Sequence, residues 1–372
     1  MIRSRWGRGA ARKRLSELGE IAMKALSAVA FGAALLLVSA PSTAGPVDAQ
    51  QKYGAFGPEG ARLREQLWIL PSGDAETPLR ATVFRPVDPP GTKGVTRHPL
   101  VVINHGTSDA TRLAVAMPVY YWLSRWFVER GYAVVLPQRR GHGATGGPMV
   151  EAIGSCSNPD HYQSGLAAAD DIGSTVSFMS EQPFVAPGET IVLGISSGGW
   201  ASLALASQNP GNVRAVINIA GGRGGHPFGK VDGSVCGEKR LIDAARSYGA
   251  KARLPTLWLY ASNDSYFRPD LARAMASAWH ERGGDAELHV FPPYGSDGHT
   301  IADDRAGWDI WGTAMERFLT RRGEAPVAAL NEPPPAPIAM PDVTPVEATP
   351  DSSAETDTVT ASDGETREAA GR

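Results

Sequence analysis

Two adjacent serines interrupt a glycine-rich turn in IVLGISSGGW, residues 191–200. Gly194-Ile195-Ser196-Ser197-Gly198 has the spacing G-x-S-x-G with Ser196 at its centre. A serine hydroxyl in that position can attack an acyl carbon if the chain turns sharply enough to lift it clear of its neighbours. The residues two positions away on either side must then lack side chains. Ser197 fails as the nucleophile because Ile195 would stand where a small residue is needed. The backbone N–H of Ser197 is instead the expected donor to the oxyanion that forms on the substrate. Taken alone the pentapeptide is a weak signal in a chain with 42 glycines.

A serine nucleophile needs a base, and the chain has eight histidines. His299, in YGSDGHTIADD, lies in a glycine-rich loop between a strand-like and a helix-like stretch and is the expected base. His289 falls inside a strand, His280 at an exposed helix end, and His98 just before a strand. His105, in INHGT, reads as a loop brace, and His142, in RRGHGATGG, as a residue that lines the site. The base needs a carboxylate to orient it. Asp264 in PTLWLYASNDSYF is the first choice, since it follows the carboxyl end of a strand, where open α/β sheets bind ligands. Asp297 is the second choice, because neighbours in sequence rarely align head-on. A second oxyanion donor is expected from the loop after the apolar run 99–104. There His105-Gly106 permits a tight turn that points the Thr107 N–H inward. Trp200 and Tyr266 are further expected lining residues.

These groups require a scaffold that brings them to one edge. Short apolar runs at 79–86, 99–106, 132–138, 190–195, 213–222, 255–262 and 286–293 read as strands. Stretches with helical spacing separate them, at 117–131, 165–182, 198–210, 240–250, 270–284 and 307–322. Near-continuous apolar strands alternating with helices imply an α/β fold with a mostly parallel central sheet covered on both faces. Ser196, Asp264 and His299 each follow a different strand, in the order Ser…Asp…His. The segment between the strands at 213–219 and 255–261 holds one short helix and leaves no room for a large cap domain.

The stretches INHGT, GYAVVLPQRRGHGATGG, GISSGGW, PTLWLYASND and GSDGHT, spread in this order over residues 80 to 322, resemble the α/β-hydrolase superfamily. Within it the chain is similar to the dienelactone-hydrolase-like and S9-like group, which has little or no cap. The resemblance implies a serine hydrolase that works through an acyl-enzyme on Ser196, His299 and Asp264, with no metal or organic cofactor. The expected substrate is a small-molecule carboxylic ester. A peptidase acting on short peptides and a non-catalytic binding protein of the same fold are the alternatives. Dienelactone hydrolases proper carry a cysteine where Ser196 stands, which argues against a dienelactone substrate. The sequence also lacks the β-propeller of the S9 peptidases. Placed on this fold, Cys156 and Cys236 lie in loops that emerge at the catalytic edge, and a disulfide between them is expected to pin the pocket rim.

The ends of the chain read differently. Residues 25–40 are apolar and uncharged, follow a basic stretch and precede small residues, which is the order of a secretory signal, with cleavage after Ala44 or Ala49. That run is shorter than the ~20 residues of a membrane span. Export with residues 1–49 as the signal segment is expected, a retained membrane anchor being the alternative. Residues 50–322 then form the hydrolase domain. Residues 323–372, rich in Pro, Ala and acidic side chains and without an aromatic residue, read as a disordered tail. Only two cysteines are present, in no CxxC or His/Cys cluster, so no structural zinc site is expected. A net charge of −3 gives no reason to expect a nucleic-acid partner.

Overall fold

Alternating inward and outward side chains on each buried strand produce two cores, one on either face of a single sheet. In a computed structural model, residues 53–107, 112–227 and 232–321 are described. The expected signal segment and acidic tail lie outside the described residues.

The chain opens with three strands, β1 (Gly54–Phe56), β2 (Gln66–Leu70) and β3 (Leu79–Phe84). Next come β4 (His98–Asn104), α1 (Tyr121–Val128) and β5 (Ala133–Gln138). A short hairpin of β6 (Gly154–Ser155) and β7 (Asn158–Pro159) leads into α2 (His161–Ser180). The second half runs β8 (Val185–Ile195), α3 (Ser197–Ala206), β9 (Val213–Ile219) and α4 (Glu238–Gly249). It ends with β10 (Thr256–Ala261), α5 (Pro269–His280), β11 (Ala286–Phe291) and α6 (Trp308–Arg321).

The nine-stranded sheet has the order β1-β2-β3-β5-β4-β8-β9-β10-β11. The last six strands of that order are mutually parallel, and the first three are antiparallel to their neighbours. The sequence reading located β3 but not β1 or β2, which are short, partly exposed and weakly patterned.

In β4, Leu100 and Val102 enter one core while Val101 and Ile103 enter the other. β5 divides in the same way, with Ala133 and Val135 against Val134 and Leu136. Side chains alternate across a strand, so a central strand must be apolar on both faces. Helices α2 to α5 cover the first core, and α1 and α6 cover the second with Trp126, Trp311 and Phe318. Each fully buried aliphatic or aromatic side chain contributes roughly 1.5–3 kcal/mol, so these cores hold the strand ends in register.

Element ends differ from the sequence reading in two places. The helix expected from residue 117 begins at Tyr121, because Tyr120 adopts a left-handed φ of 33°. The helix expected from residue 165 begins at His161, where Asp160 caps it by accepting the Gln163 N–H at 2.9 Å. No helix among the described residues is long and apolar enough to cross a membrane.

Candidate active site

The turn after β8 is built around an unfavourable backbone. Ser196 has φ 54° and ψ −123°, a region that non-glycine residues rarely enter. Three backbone bonds secure it: Ser196 N–H donates to Ile219 O at 3.0 Å, and Ser196 O accepts from Gly222 at 3.2 Å and Trp200 at 3.1 Å. The two flanking glycines are sterically required. A Cβ on Gly194 would collide with the Gly198 carbonyl, and one on Gly198 with the carbonyls of Asn104 and His105. The G-x-S-x-G spacing is thus a packing constraint, within the turn at Gly194 and against the end of β4 at Gly198. α3 starts directly after Ser196, so its first N–H groups, which have no carbonyl a turn earlier to bond, lie beside the serine.

Asp264 lies beyond the end of β10 with its carboxylate buried. Its Oδ1 accepts the N–H groups of Tyr266 at 2.8 Å and Phe267 at 2.9 Å. The ring of His299, in a short 3-10 turn after β11, places Nδ1 at 3.1 Å from Oδ1 and 3.2 Å from Oδ2 of Asp264. A carboxylate can only accept, so Nδ1 carries the proton and Nε2 is left basic. Tyr266 stacks on the imidazole at 4.2 Å between ring centres.

Asp297, the second-choice partner, does not touch the ring. Its Oδ1 accepts the N–H groups of His299 and Ser265, and its Oδ2 accepts the Ser265 hydroxyl. Burial raises the Asp297 pKa, but these three donors outweigh it and hold the carboxyl below its ordinary value.

Ser196, Ser197, Thr107 and Tyr266 line one cavity of about 470 Å³. The Thr107 N–H donates to Ser197 Oγ at 3.1 Å, so the expected oxyanion donor is engaged by a neighbouring hydroxyl.

Two expected lining residues are corrected. Trp200 lies on α3, a helix buried on every side, and its Nε1–H donates to the His161 carbonyl at 2.9 Å. The indole faces α2 because a helix enclosed all round has no cavity face at that position. His142 is fully buried, bonded through Nδ1 to the carbonyls of Arg139 and Arg140. It packs edge-on against His105 behind the site, because the loop after β5 folds inward. Burial, with the adjacent Arg139, holds its pKa below the usual value.

His105 braces the loop after β4. Its Nε2 accepts the Arg139 N–H at 3.1 Å, and its Nδ1–H reaches the Gly106 carbonyl at 3.2 Å. Burial first, and Arg139 second, push its pKa well below the ordinary value, which keeps the ring neutral.

Sequence reasoning missed a buried ionic cluster beside these residues. Arg139, fully buried, donates through Nη1 to the His105 carbonyl at 2.7 Å and through Nε to Glu151 Oε1 at 2.9 Å. Arg223 Nη1 donates to Glu151 Oε2 at 3.0 Å. Burial raises the Glu151 pKa, but Arg139 and Arg223 overcome it and bring the value down to about 2. The only trace in the sequence is the charge-dense QRRGH after a buried strand, which does not name its partners.

Cys156 and Cys236 form the expected disulfide, and both line the cavity.

Residues 74–277 match the model of the X-Pro dipeptidyl-peptidase family (S15). The matched span includes Ser196 and Asp264 and ends before His299. No curated protein matches the sequence. Among solved structures, an acylaminoacyl peptidase in complex with Z-Gly-Gly-Phe-chloromethyl ketone aligns at 16% identity with a TM-score of 0.51, over 72% of this chain and 43% of that one. A puromycin-hydrolysing peptidase of Mycobacterium tuberculosis aligns at 18% identity and 0.51, over 73% and 41%. An acetyl xylan esterase from a Paenibacillus species aligns at 15% and 0.49, over 72% and 87%. Likenesses at this identity are likenesses of fold. This chain spans less than half the length of the two peptidases.

Proposed function

The chain belongs to the X-Pro dipeptidyl-peptidase family (S15), and on that premise we propose that it is an exported serine hydrolase that cleaves carboxylic esters through an acyl-enzyme. The observation that carries the reading is the strained Ser196 on the cavity wall. A non-glycine residue at φ 54° costs of order 1–3 kcal/mol, and such strain persists where it presents a side chain for use.

In this mechanism His299 Nε2 takes the Ser196 proton as Oγ attacks the ester carbonyl. The N–H groups of Ser197 and Thr107 receive the oxyanion, the latter exchanging or sharing its bond to Ser197 Oγ. The imidazolium, held by Asp264, gives its proton to the leaving alkoxide, and the alcohol departs. Water then attacks the acyl-enzyme with His299 as base, and the protonated His299 returns a proton to Ser196 Oγ as the acid leaves. The disulfide supports export, since such bonds persist in oxidising compartments.

Family membership favours a second reading, a peptidase acting on short peptides. A dipeptidyl-peptidase must hold the ammonium at its substrate's amino terminus. Among the described residues no carboxylate lines the cavity, which supports the ester reading.

A fluorophosphonate probe, p-nitrophenyl esters and X-Pro p-nitroanilides test both readings, with Ser196→Ala as control. The proposal expects labelling and ester cleavage that the variant loses. Cleavage of anilides but not esters selects the peptidase. Failure of the probe to label the wild-type protein selects a non-catalytic binder.

A further inference from the structure

The described cavity wall carries one fixed charge, the guanidinium of Arg223. His161, also on the wall, is held neutral: its Nε2–H donates to the Cys236 carbonyl at 2.7 Å, and burial lowers its pKa. His226 directs Nε2 to the Ser265 carbonyl at 2.9 Å, with the exposed Asp232 at 3.6 Å beside it.

Arg223 is held in place by Glu151, yet it is not needed to neutralise it. Glu151 is already paired with the fully buried Arg139, through Nε at 2.9 Å and Nη2 at 3.4 Å. Two guanidiniums facing one carboxylate leave a surplus charge of +1, and Arg223, the one on the cavity wall, presents it. Only its Nη1 is engaged by a described residue, at 3.0 Å from Glu151 Oε2, so the rest of its planar donor fork faces no described protein acceptor. Its side chain is 13% exposed, which ties the charge to the cavity rather than to bulk solvent.

The location suits recognition. Arg223 directly follows Gly222, whose N–H bonds the Ser196 carbonyl at 3.2 Å. Successive Cα atoms lie about 3.8 Å apart, so the side chain starts within one residue of the nucleophile's own backbone contact.

We propose that Arg223 is the recognition group for a carboxylate on the substrate, making the preferred substrates esters whose acyl or alcohol part bears an anionic carboxylate. The planar fork of arginine matches a carboxylate geometrically, and such charge-assisted pairs are stronger and more directional than neutral ones. The proposal rests on the hydrolase reading for its substrate class, while the anion site itself is open to a binding measurement.

Two matched ester pairs test it. One sets 4-acetoxybenzoate against 4-acetoxybenzamide, with the anion on the leaving group. The other sets monomethyl succinate against methyl succinamate, with the anion on the acyl group. Wild-type protein is expected to favour the acid of at least one pair in kcat/KM by tenfold or more, and the pair that responds tells which side of the ester faces Arg223. Arg223→Gln should reduce that acid-to-amide ratio roughly 10- to 100-fold, and Arg223→Lys should recover part of it. The ratio cancels any general loss of activity in the variants.

Calorimetric binding of the same intact esters to Ser196→Ala protein reads the site without catalysis, and adding Arg223→Gln should abolish the preference for the acid. Acid-to-amide ratios near one in both pairs, in turnover and in binding, would overturn the proposal. So would a preference that survives Arg223→Gln. If no ester is cleaved but the acids still bind through Arg223, the hydrolase reading fails and the anion site stands.

Discussion

Replacing Asp264 by asparagine separates orientation of the base from stability of the loop. Asp264 Oδ1 accepts two backbone N–H groups, from Tyr266 and Phe267, at 2.8 and 2.9 Å. An asparagine side chain must keep its carbonyl oxygen there, because only an acceptor satisfies those donors. Its NH₂ group then occupies the Oδ2 position, 3.2 Å from His299 Nδ1. Two N–H groups repel when they face each other, and the retained oxygen, 3.1 Å from Nδ1, already accepts two backbone N–H groups, so the ring shifts toward the Nε2–H tautomer, in which Nδ1 accepts from the new NH₂. In that form Nε2 cannot accept the Ser196 proton. The analogous Asp-to-Asn change in a serine protease triad lowers kcat about 10⁴-fold, equivalent to roughly 5.5 kcal/mol of barrier. Both backbone bonds survive, so the loss of stability should stay near 1 kcal/mol.

Asp297→Asn is the matched control, since that carboxylate bonds the His299 backbone N–H and Ser265 but not the ring. It should lower kcat by less than about tenfold. The assay is kcat for a p-nitrophenyl ester together with the fluorophosphonate labelling rate, each beside a thermal melt. An Asp264→Asn protein within tenfold of wild type would refute the tautomer argument. Equal losses in the two variants would refute the assignment of Asp264 over Asp297.

Ser196→Gly and Ser196→Ala should both lose activity at least about 10⁴-fold, but the glycine variant should be the more stable by about 1 kcal/mol in denaturant titration, because alanine retains the cost of the positive φ and glycine does not. Glu151 has a folded pKa of about 2 against an ordinary 4.5, so its stabilising contribution is complete above pH 4.5 and is lost as pH falls through about 2. At about 1.4 kcal/mol per pH unit that is roughly 3 kcal/mol, and Glu151→Gln should abolish this slope in urea midpoints measured across pH 2–6. Removing the Cys156–Cys236 bond, which links residues 80 apart, should cost about 4 kcal/mol of stability and raise KM more than it lowers kcat, because both residues line the cavity wall. A double serine variant with unchanged melting and unchanged KM would show that the bridge constrains neither the fold nor the site.

Features governed by short-range sterics and by residue alternation were legible in the sequence. The parallel core strands announced themselves because a strand covered on both faces is apolar on both, as β8 is from Ile191 to Ile195. The turn at Ser196 was legible because its own tightness admits only glycine at 194 and its close approach to the end of β4 admits only glycine at 198. The chain order of Ser196, Asp264 and His299 followed from strands that all point the same way. Tertiary packing alone decided what depends on side-chain direction between distant segments. It placed the Asp264 carboxylate, not that of Asp297, on His299, because the latter is held by its own loop's backbone. It turned Trp200 and His142 away from the cavity, gave the Thr107 N–H to Ser197 Oγ, and assembled Arg139, Glu151 and Arg223 from two loops, the one after β5 and the one after β9. Charges so far apart in sequence leave no periodic trace, since their pairing energy depends on a burial that exists only once the sheet and its loops have closed around them.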